Sequence, residues 1–382
     1  MKKKIYYWSP CLNKVATVKA TINSALSLAK YSNKYDVKII NVFGEWQNYK
    51  NNLQNKNVQI KDLSFNYYNF LPKSGYLRSR LSYLIIFFIS FFPLITLIKR
   101  DKPDYFIAHL ITSLPLILMN IFNLKTKIIL RISGFPKLNY FRRKLWKFSE
   151  DKIFQITCPT EDLKKYLLNL KYFRSSKVSV LFDPIINLAD FIKKKNIKNL
   201  NVVDQKNYFV AAGRLTKQKN FSYLIKEFNK FTKTNPDENL LIFGEGQLKK
   251  KLNKEIANNN LSKNVKLLGY TDNIYYFMKH SKAFILSSLW EDPGFVMIEA
   301  ALCNCLVISS DCKNGPREFL LNGKAGILFK NNTDGKLIKA LEDFKTLKKI
   351  DIYKKKVLAK KNSSKFTMFK HYLGIKNIIE SH

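Results

Sequence analysis

The sequence predicts an α/β protein made of two Rossmann-like, doubly wound parallel-sheet domains. Short apolar strand-like runs alternate with segments of helical apolar spacing along the whole chain, and a βαβα order implies parallel strands with helices on both faces. At 382 residues the chain is too long for one ordinary core. The alternation also restarts after a polar, Lys/Asn-rich stretch at 193–207, which reads as the interdomain linker. The expected division is 1–200, 201–365 and a closing helix in 366–382.

In the first half, KKIYYWSP is an apolar strand ending in a turn, and Val18, Ile22, Ala25, Leu26 and Ala29 mark a helix over 17–31. Strands follow at DVKIINVFG, DYFIAHL, TKIILRIS, FQITCP and KVSVLFDP, with helices at 81–98 and near 113–122. In the second half, strands are expected at NYFVAAGRL, ENLLIFGEG, NVKLLGY, AFILSS, CLVISSD and AGILF. Helices are expected at 221–232, 247–259 and 294–302, and Phe366, Phe369, Tyr372, Leu373 and Ile375 give the tail helical spacing.

Charge is the unusual feature of the composition. Lys and Arg number 67 against 28 acids, a net +39, and such a field draws in polyanions. Nucleic acid, an anionic membrane surface and phosphorylated substrates all fit, as does a purely compositional bias. Five cysteines with no Cys-x-x-Cys pair read as buried thiols in a reducing compartment rather than a zinc site. The basic N-terminus carries too short an apolar run for an export signal. Residues 81–98 hold no charge; a straight helix of that length reaches about 27 Å, just short of a bilayer core. Pro93 and two serines favour a helix buried or resting on a membrane surface over a span.

Several residues carry potential chemistry. Gly213 and Arg214 end a strand, with Lys219 five residues on. A glycine admits close approach, and an Arg fork plus a Lys point charge suit a diphosphate. Solvated surface charge is the competing reading. In SLWEDPGFVMIEA, Glu291 and Glu299 are separated by seven residues, with a Pro-Gly turn opening a helix between them. The N–H groups of Gly294, Phe295 and Val296 are then expected to form an anion site. Glu291 is placed to hold sugar hydroxyls and Glu299 a ribose diol. Gly244-Glu245-Gly246 has Lys249 at the third glycine position of a dinucleotide fingerprint, so it reads as a tight turn.

The region 205–330 resembles the glycosyltransferase family 4 enzymes. The similarity rests on the Glu-x7-Glu spacing, GRLTKQKN, FGEG, LLGY and SDCKNGPREFLLNGKAGILF. It implies a GT-B fold, two Rossmann-like domains facing a cleft, and retaining, metal-independent transfer from a nucleoside-diphosphate sugar, with uridine expected as the base. No cofactor beyond that co-substrate is implied, and no metal. Glu291 and His109 would be catalytic. Gly213, Arg214, Lys219, Gly294, Phe295, Val296 and Glu299 would bind the donor. The family's glycine-rich N-terminal loop is replaced here by SPCLNKVAT. Arg131, at a strand end, is a candidate to touch an acceptor phosphate, or else an ordinary surface arginine. The resemblance and the basic charge together imply a lipid-linked glycan acceptor in surface polysaccharide or lipopolysaccharide assembly. They also imply a cytoplasmic enzyme held on the anionic inner membrane face, with no nucleic-acid partner. A nucleotide-sugar epimerase of the same fold and a basic nucleic-acid-binding protein remain the alternatives.

Overall fold

The computed structural model describes residues 2–12, 16–63, 66–72, 76–197 and 207–380. They form two compact units, 1–185 with 368–382, and 186–367.

The first unit runs β1 (Lys3–Trp8), α1 (Ala16–Tyr31), β2 (Tyr35–Asn41), α2 (Lys50–Gln54), β3 (Val58–Asp62), α3 (Tyr76–Asp101), β4 (Tyr105–Ala108), α4 (Ser113–Ile121), β5 (Lys127–Arg131), α5 (Tyr140–Phe148), β6 (Ile153–Cys158), α6 (Glu161–Asn169) and β7 (Val178–Val180). The sheet order is β3-β2-β1-β4-β5-β6-β7, parallel throughout. The inner strands β1, β4, β5 and β6 are buried on both faces along most of their length, as a parallel sheet between helical layers requires. One face packs against α3 to α6 through Ile86, Leu94, Leu114, Trp146 and Leu163. The other packs against α1 through Ala25 and Leu28, joined by Tyr372 and Ile375 from the C-terminal segment.

The second unit runs α7 (Leu188–Lys194), β8 (Tyr208–Ala212), α8 (Phe221–Thr232), β9 (Asn239–Phe243), α9 (Lys249–Asn258), β10 (Val265–Gly269), α10 (Ile274–His280), β11 (Phe284–Leu286), α11 (Phe295–Leu302), β12 (Val307–Ser310), α12 (Pro316–Phe319), β13 (Ile327–Phe329), α13 (Lys336–Thr346) and α14 (Lys349–Ser363). Its parallel sheet has the order β10-β9-β8-β11-β12-β13. The chain then returns to the first unit as α15 (Met368–Glu380), where Phe369 meets Tyr31 edge to face and the Tyr105 hydroxyl donates to the Ile379 carbonyl.

The strand order reverses direction between β1 and β4 and between β8 and β11. In doubly wound sheets ligands bind beyond the carboxyl ends of the strands at such switch points. The expected two-sheet architecture is therefore present. The boundary differs from residue 200: Phe191 of α7 packs on Tyr275 with ring centroids 5.3 Å apart, and Asn273 donates to the carbonyls of Lys194 and Ile197. Residues 186–197 thus join the second unit, while 198–206 of the expected linker lie outside the described residues. Strand β3 and helices α2, α5 to α7, α10 and α12 to α14 went unread in the sequence. The edge strand β3 has only two apolar residues in VQIKD, too weak a pattern to stand out among lysines and asparagines.

Among the described residues one helix is long and apolar enough to cross a membrane, Ser79–Asp101. It is two-faced: Ile86, Leu94, Leu97 and Ile98 are buried in the first unit's core, whereas Leu81, Leu84, Phe88 and Phe92 are exposed. All five cysteines are free and buried, and burial pushes the thiols of Cys158 and Cys305 up to about 11.

Candidate active site

Strand β8 ends at Ala212, and the chain must turn at once under the neighbouring loop. Glycine is required at 244 because a Cβ there would sit 1.9 Å from the Gly213 carbonyl oxygen, and at 246 because it would meet the Leu215 carbonyl at 2.5 Å. The β8 and β9 loops are thereby packed backbone to backbone. The Gly213 N–H donates to the Phe243 carbonyl at 3.0 Å and the Leu215 N–H to that of Glu245 at 2.9 Å. The FGEG turn is thus the buttress that fixes Gly213 and Arg214 at the switch point.

A side chain at 213 would press into the aliphatic stem of Lys219, the nearest atom being 3.0 Å away. Lys219 lies over this glycine and reaches Glu291, Nζ to Oε1 2.5 Å, with both side chains largely buried. The Ser288 hydroxyl donates to the same Oε1. The Glu291 N–H is held by the Lys313 carbonyl, and Gln218 ties the two loops by donating to the Trp290 carbonyl at 3.0 Å. Gly294 adjoins the Glu291 side chain and has φ +99°, a conformation open to glycine at little cost. It begins α11 without a side-chain cap, so the first N–H groups, those of Phe295 and Val296 included, have no capping oxygen. Arg214 is exposed, and its guanidinium makes a long 3.4 Å contact with Gln218.

The structure therefore brings Gly213, Arg214, Lys219, Glu291 and Gly294 into one cluster at the carboxyl ends of β8 and β11. Glu299 sits one turn into α11, buried and close enough to Tyr275 to help raise that phenol. Sequence reasoning missed Ser288, Gln218 and Gly315. A Cβ at 315 would meet the Pro293 carbonyl at 2.2 Å, so this glycine shapes the Glu291 loop from beneath. The signal for the serines was present: AFILSS and CLVISS both close on a Ser-Ser pair, and the Ser310 hydroxyl donates to the Ser288 carbonyl at 2.7 Å.

In the first unit His109 follows β4 at the other switch point. Its N–H donates to the Trp8 carbonyl at 2.9 Å, and its Nδ1 lies 3.5 Å from the Thr21 hydroxyl, which donates to Ser9. Desolvation, then the nearby Arg131 charge, holds the imidazole well below its usual range, so it is neutral at physiological pH. Arg131 is not placed as a surface group free to meet an acceptor phosphate. It is 3 % exposed, and its guanidinium donates to the Leu181 carbonyl at 2.7 Å and to the buried Asp183 carboxylate.

The same segment is gripped by α15. His371 Nδ1 lies 2.7 Å from the Phe182 carbonyl, which requires Nδ1 to carry the proton. Nε2 then accepts from the Ser24 hydroxyl at 2.7 Å, and Ser24 accepts from Tyr7. Burial pushes His371 down to about 3 from an ordinary 6.5. The unfolded chain thus binds the extra proton, and this residue's contribution to stability is lost as pH falls below 6.5. Urea melts should show the stability advantage of wild type over His371→Gln shrinking by about 2 kcal/mol between pH 7 and pH 5. A gap that stays constant would mean that the imidazole takes up its proton in the folded state as readily as in the unfolded chain.

Residues 192–363 match the family described as Glycosyl transferases group 1. An uncharacterized glycosyltransferase of Methanocaldococcus jannaschii is 34% identical over 252 residues, 60% of this chain and 61% of that protein; the chain spans about three fifths of that relative's length. A Campylobacter jejuni α-1,4-N-acetyl-D-galactosaminyltransferase, named for a diphosphoundecaprenol-linked acceptor, is 26% identical over 355 residues, 91% of this chain and 88% of its own. The crystal structure of Anabaena HepE in complex with UDP and glucose superimposes with a TM-score of 0.72 at 15% identity, over all of both chains; it shares the fold. Residues 192–363 are thus similar to the group 1 glycosyl transferases, and the two parallel sheets have the GT-B fold.

Proposed function

We propose that the protein is a retaining family 4 glycosyltransferase that moves a hexose or N-acetylhexosamine from a UDP-linked donor to a lipid-linked glycan. The observation that carries this is the Lys219–Glu291 pair against Gly213, at the switch point of the family-matched unit. As the anomeric C–O bond breaks, negative charge collects on the departing diphosphate. Arg214, Lys219 and the N-terminus of α11 supply fixed positive polarity for that charge, each preorganised donor being worth about 3–4 kcal/mol in the transition state. The acceptor hydroxyl attacks the same face, and its proton passes to the leaving phosphate oxygen, so no enzyme nucleophile is needed. Lys219 and Ser288 converge on Oε1 of Glu291, and Oε2 is the oxygen assigned to a sugar hydroxyl. Neutral His109 is assigned a hydrogen bond to the reacting sugar, and Glu299 the ribose diol. The resident chemistry is proposed to work without a metal, so activity should survive a chelator.

The acceptor class follows the name of the Campylobacter relative, and uridine follows the HepE complex. The exposed apolar row on α3 supports a peripheral position on an anionic cytoplasmic membrane face. A ligand bound only by the folded state raises the melting temperature. In a panel of nucleotide sugars, UDP-linked members should raise it by several degrees, and adding a lipid-linked acceptor should give UDP release. A panel with no stabilising member would overturn the reading. Epimer formed from donor alone would replace it with the epimerase.

A further inference from the structure

Helix α5 reads YFRRKLWKF. Only Trp146 is buried, fixing the inner side of the helix. At about 100° per residue, Tyr140, Phe141, Lys144, Lys147 and Phe148 fall on the opposite side. The three rings are 67%, 79% and 74% exposed, a large solvated aromatic area for nine residues of a water-facing helix. Lys144 lies over the Tyr140 ring, 5.6 Å from its centroid, and Tyr140 meets Phe141 edge to face.

The face has no acid of its own. The nearest downstream acids, Glu150 and Asp151, are paired with Arg174, and their carbonyls accept from Lys177. A convex face of alternating rings and ammonium groups offers no groove in which bases could stack. It does suit a bilayer boundary, where amphipathic rings sit among headgroups and lysines reach anionic phosphates.

We infer that the outer face of α5 is a docking surface for anionic lipid headgroups, an electrostatic and aromatic anchor additional to α3. Both helices pack on α4 within the same layer of the first unit, so the two surfaces belong to one side of that unit. The inference deepens the membrane-facing part of the proposed function. Its readout is vesicle binding, so its failure would leave nucleotide-sugar transfer standing, and failure of the nucleotide panel would leave this surface standing.

The test floats the full-length protein with vesicles of phosphatidylcholine alone or with about a third phosphatidylglycerol, whose surface charge attracts lysines near it. Wild type should float with the anionic vesicles and much less with the neutral ones. The double variant Lys144→Ala, Lys147→Ala should bind anionic vesicles about tenfold or more weakly. The triple variant Tyr140→Ala, Phe141→Ala, Phe148→Ala should lose flotation although every charge is retained. Trp146 is untouched, and unchanged melting curves confirm that the variants fold. Flotation equal to wild type in either variant overturns the inference. So does loss of binding to a nucleic-acid oligomer, in the same variants, with vesicle binding intact.

Discussion

Arg214→Ala should lower kcat/KM about a hundredfold to a thousandfold while leaving the melting temperature unchanged. The size follows from removing one preorganised donor aimed at developing charge, about 3–4 kcal/mol. The unchanged stability follows from the residue's surroundings: Arg214 is exposed, and among the described residues its side chain makes only the 3.4 Å contact to Gln218 noted above. Its backbone is fixed by neighbours that the substitution does not touch, Gly213 on Phe243 and Leu215 on Glu245. Arg214→Lys separates charge from geometry. It retains a cation but loses the planar fork that meets two phosphate oxygens at once, so its rate should fall between wild type and alanine. Steady-state kinetics beside thermal melts decide the matter. Wild-type turnover by the alanine variant would remove Arg214 from the donor site.

Much of this site was legible in the sequence because its parts are local. Gly213 and Arg214 follow a strand, and Glu291, Gly294 and Glu299 lie within one loop and its helix, so spacing alone placed them. The partner choices were not legible. That Lys219 bonds Glu291 joins residues 72 positions apart and depends on β8 and β11 being neighbours, a fact of sheet order. The burial of Arg131 had the same origin: an arginine at a strand end gives no local hint that Asp183 and the Leu181 carbonyl will meet it. Strong strands such as YFVAA and NLLIF, buried along nearly their whole length, announced themselves as continuous apolar runs. Helix α5 did not, because its apolar positions do not fall on the buried side: Tyr140, Phe141 and Phe148 are exposed and Trp146 alone is buried, against the pattern that a water-facing helix shows. Its misfit to that pattern is the same property that singles it out as a surface for something other than water.

Lys219→Met should cost about 3–5 kcal/mol of stability, because it leaves the Glu291 carboxylate buried without its cation. Ser288 would remain as a neutral donor to Oε1, too weak to replace an ammonium at 2.5 Å. Glu291→Gln makes the converse deletion, and Lys219→Met with Glu291→Gln removes both charges together. The two side chains touch, so their effects cannot add; the double variant should be more stable than the sum of the single losses predicts, by about 1–3 kcal/mol. Transfer activity separates structure from chemistry. If the pair only braced the two loops, the double variant would recover activity along with stability. If the pair acts on the substrate, Lys219 on the departing diphosphate and Glu291 on a sugar hydroxyl, the double variant regains its fold and stays inactive, because no stabilisation of the loops replaces those contacts. Denaturant melts and transfer rates on the four proteins of this cycle distinguish the two, and a stable, active double variant would reduce Lys219 to a brace.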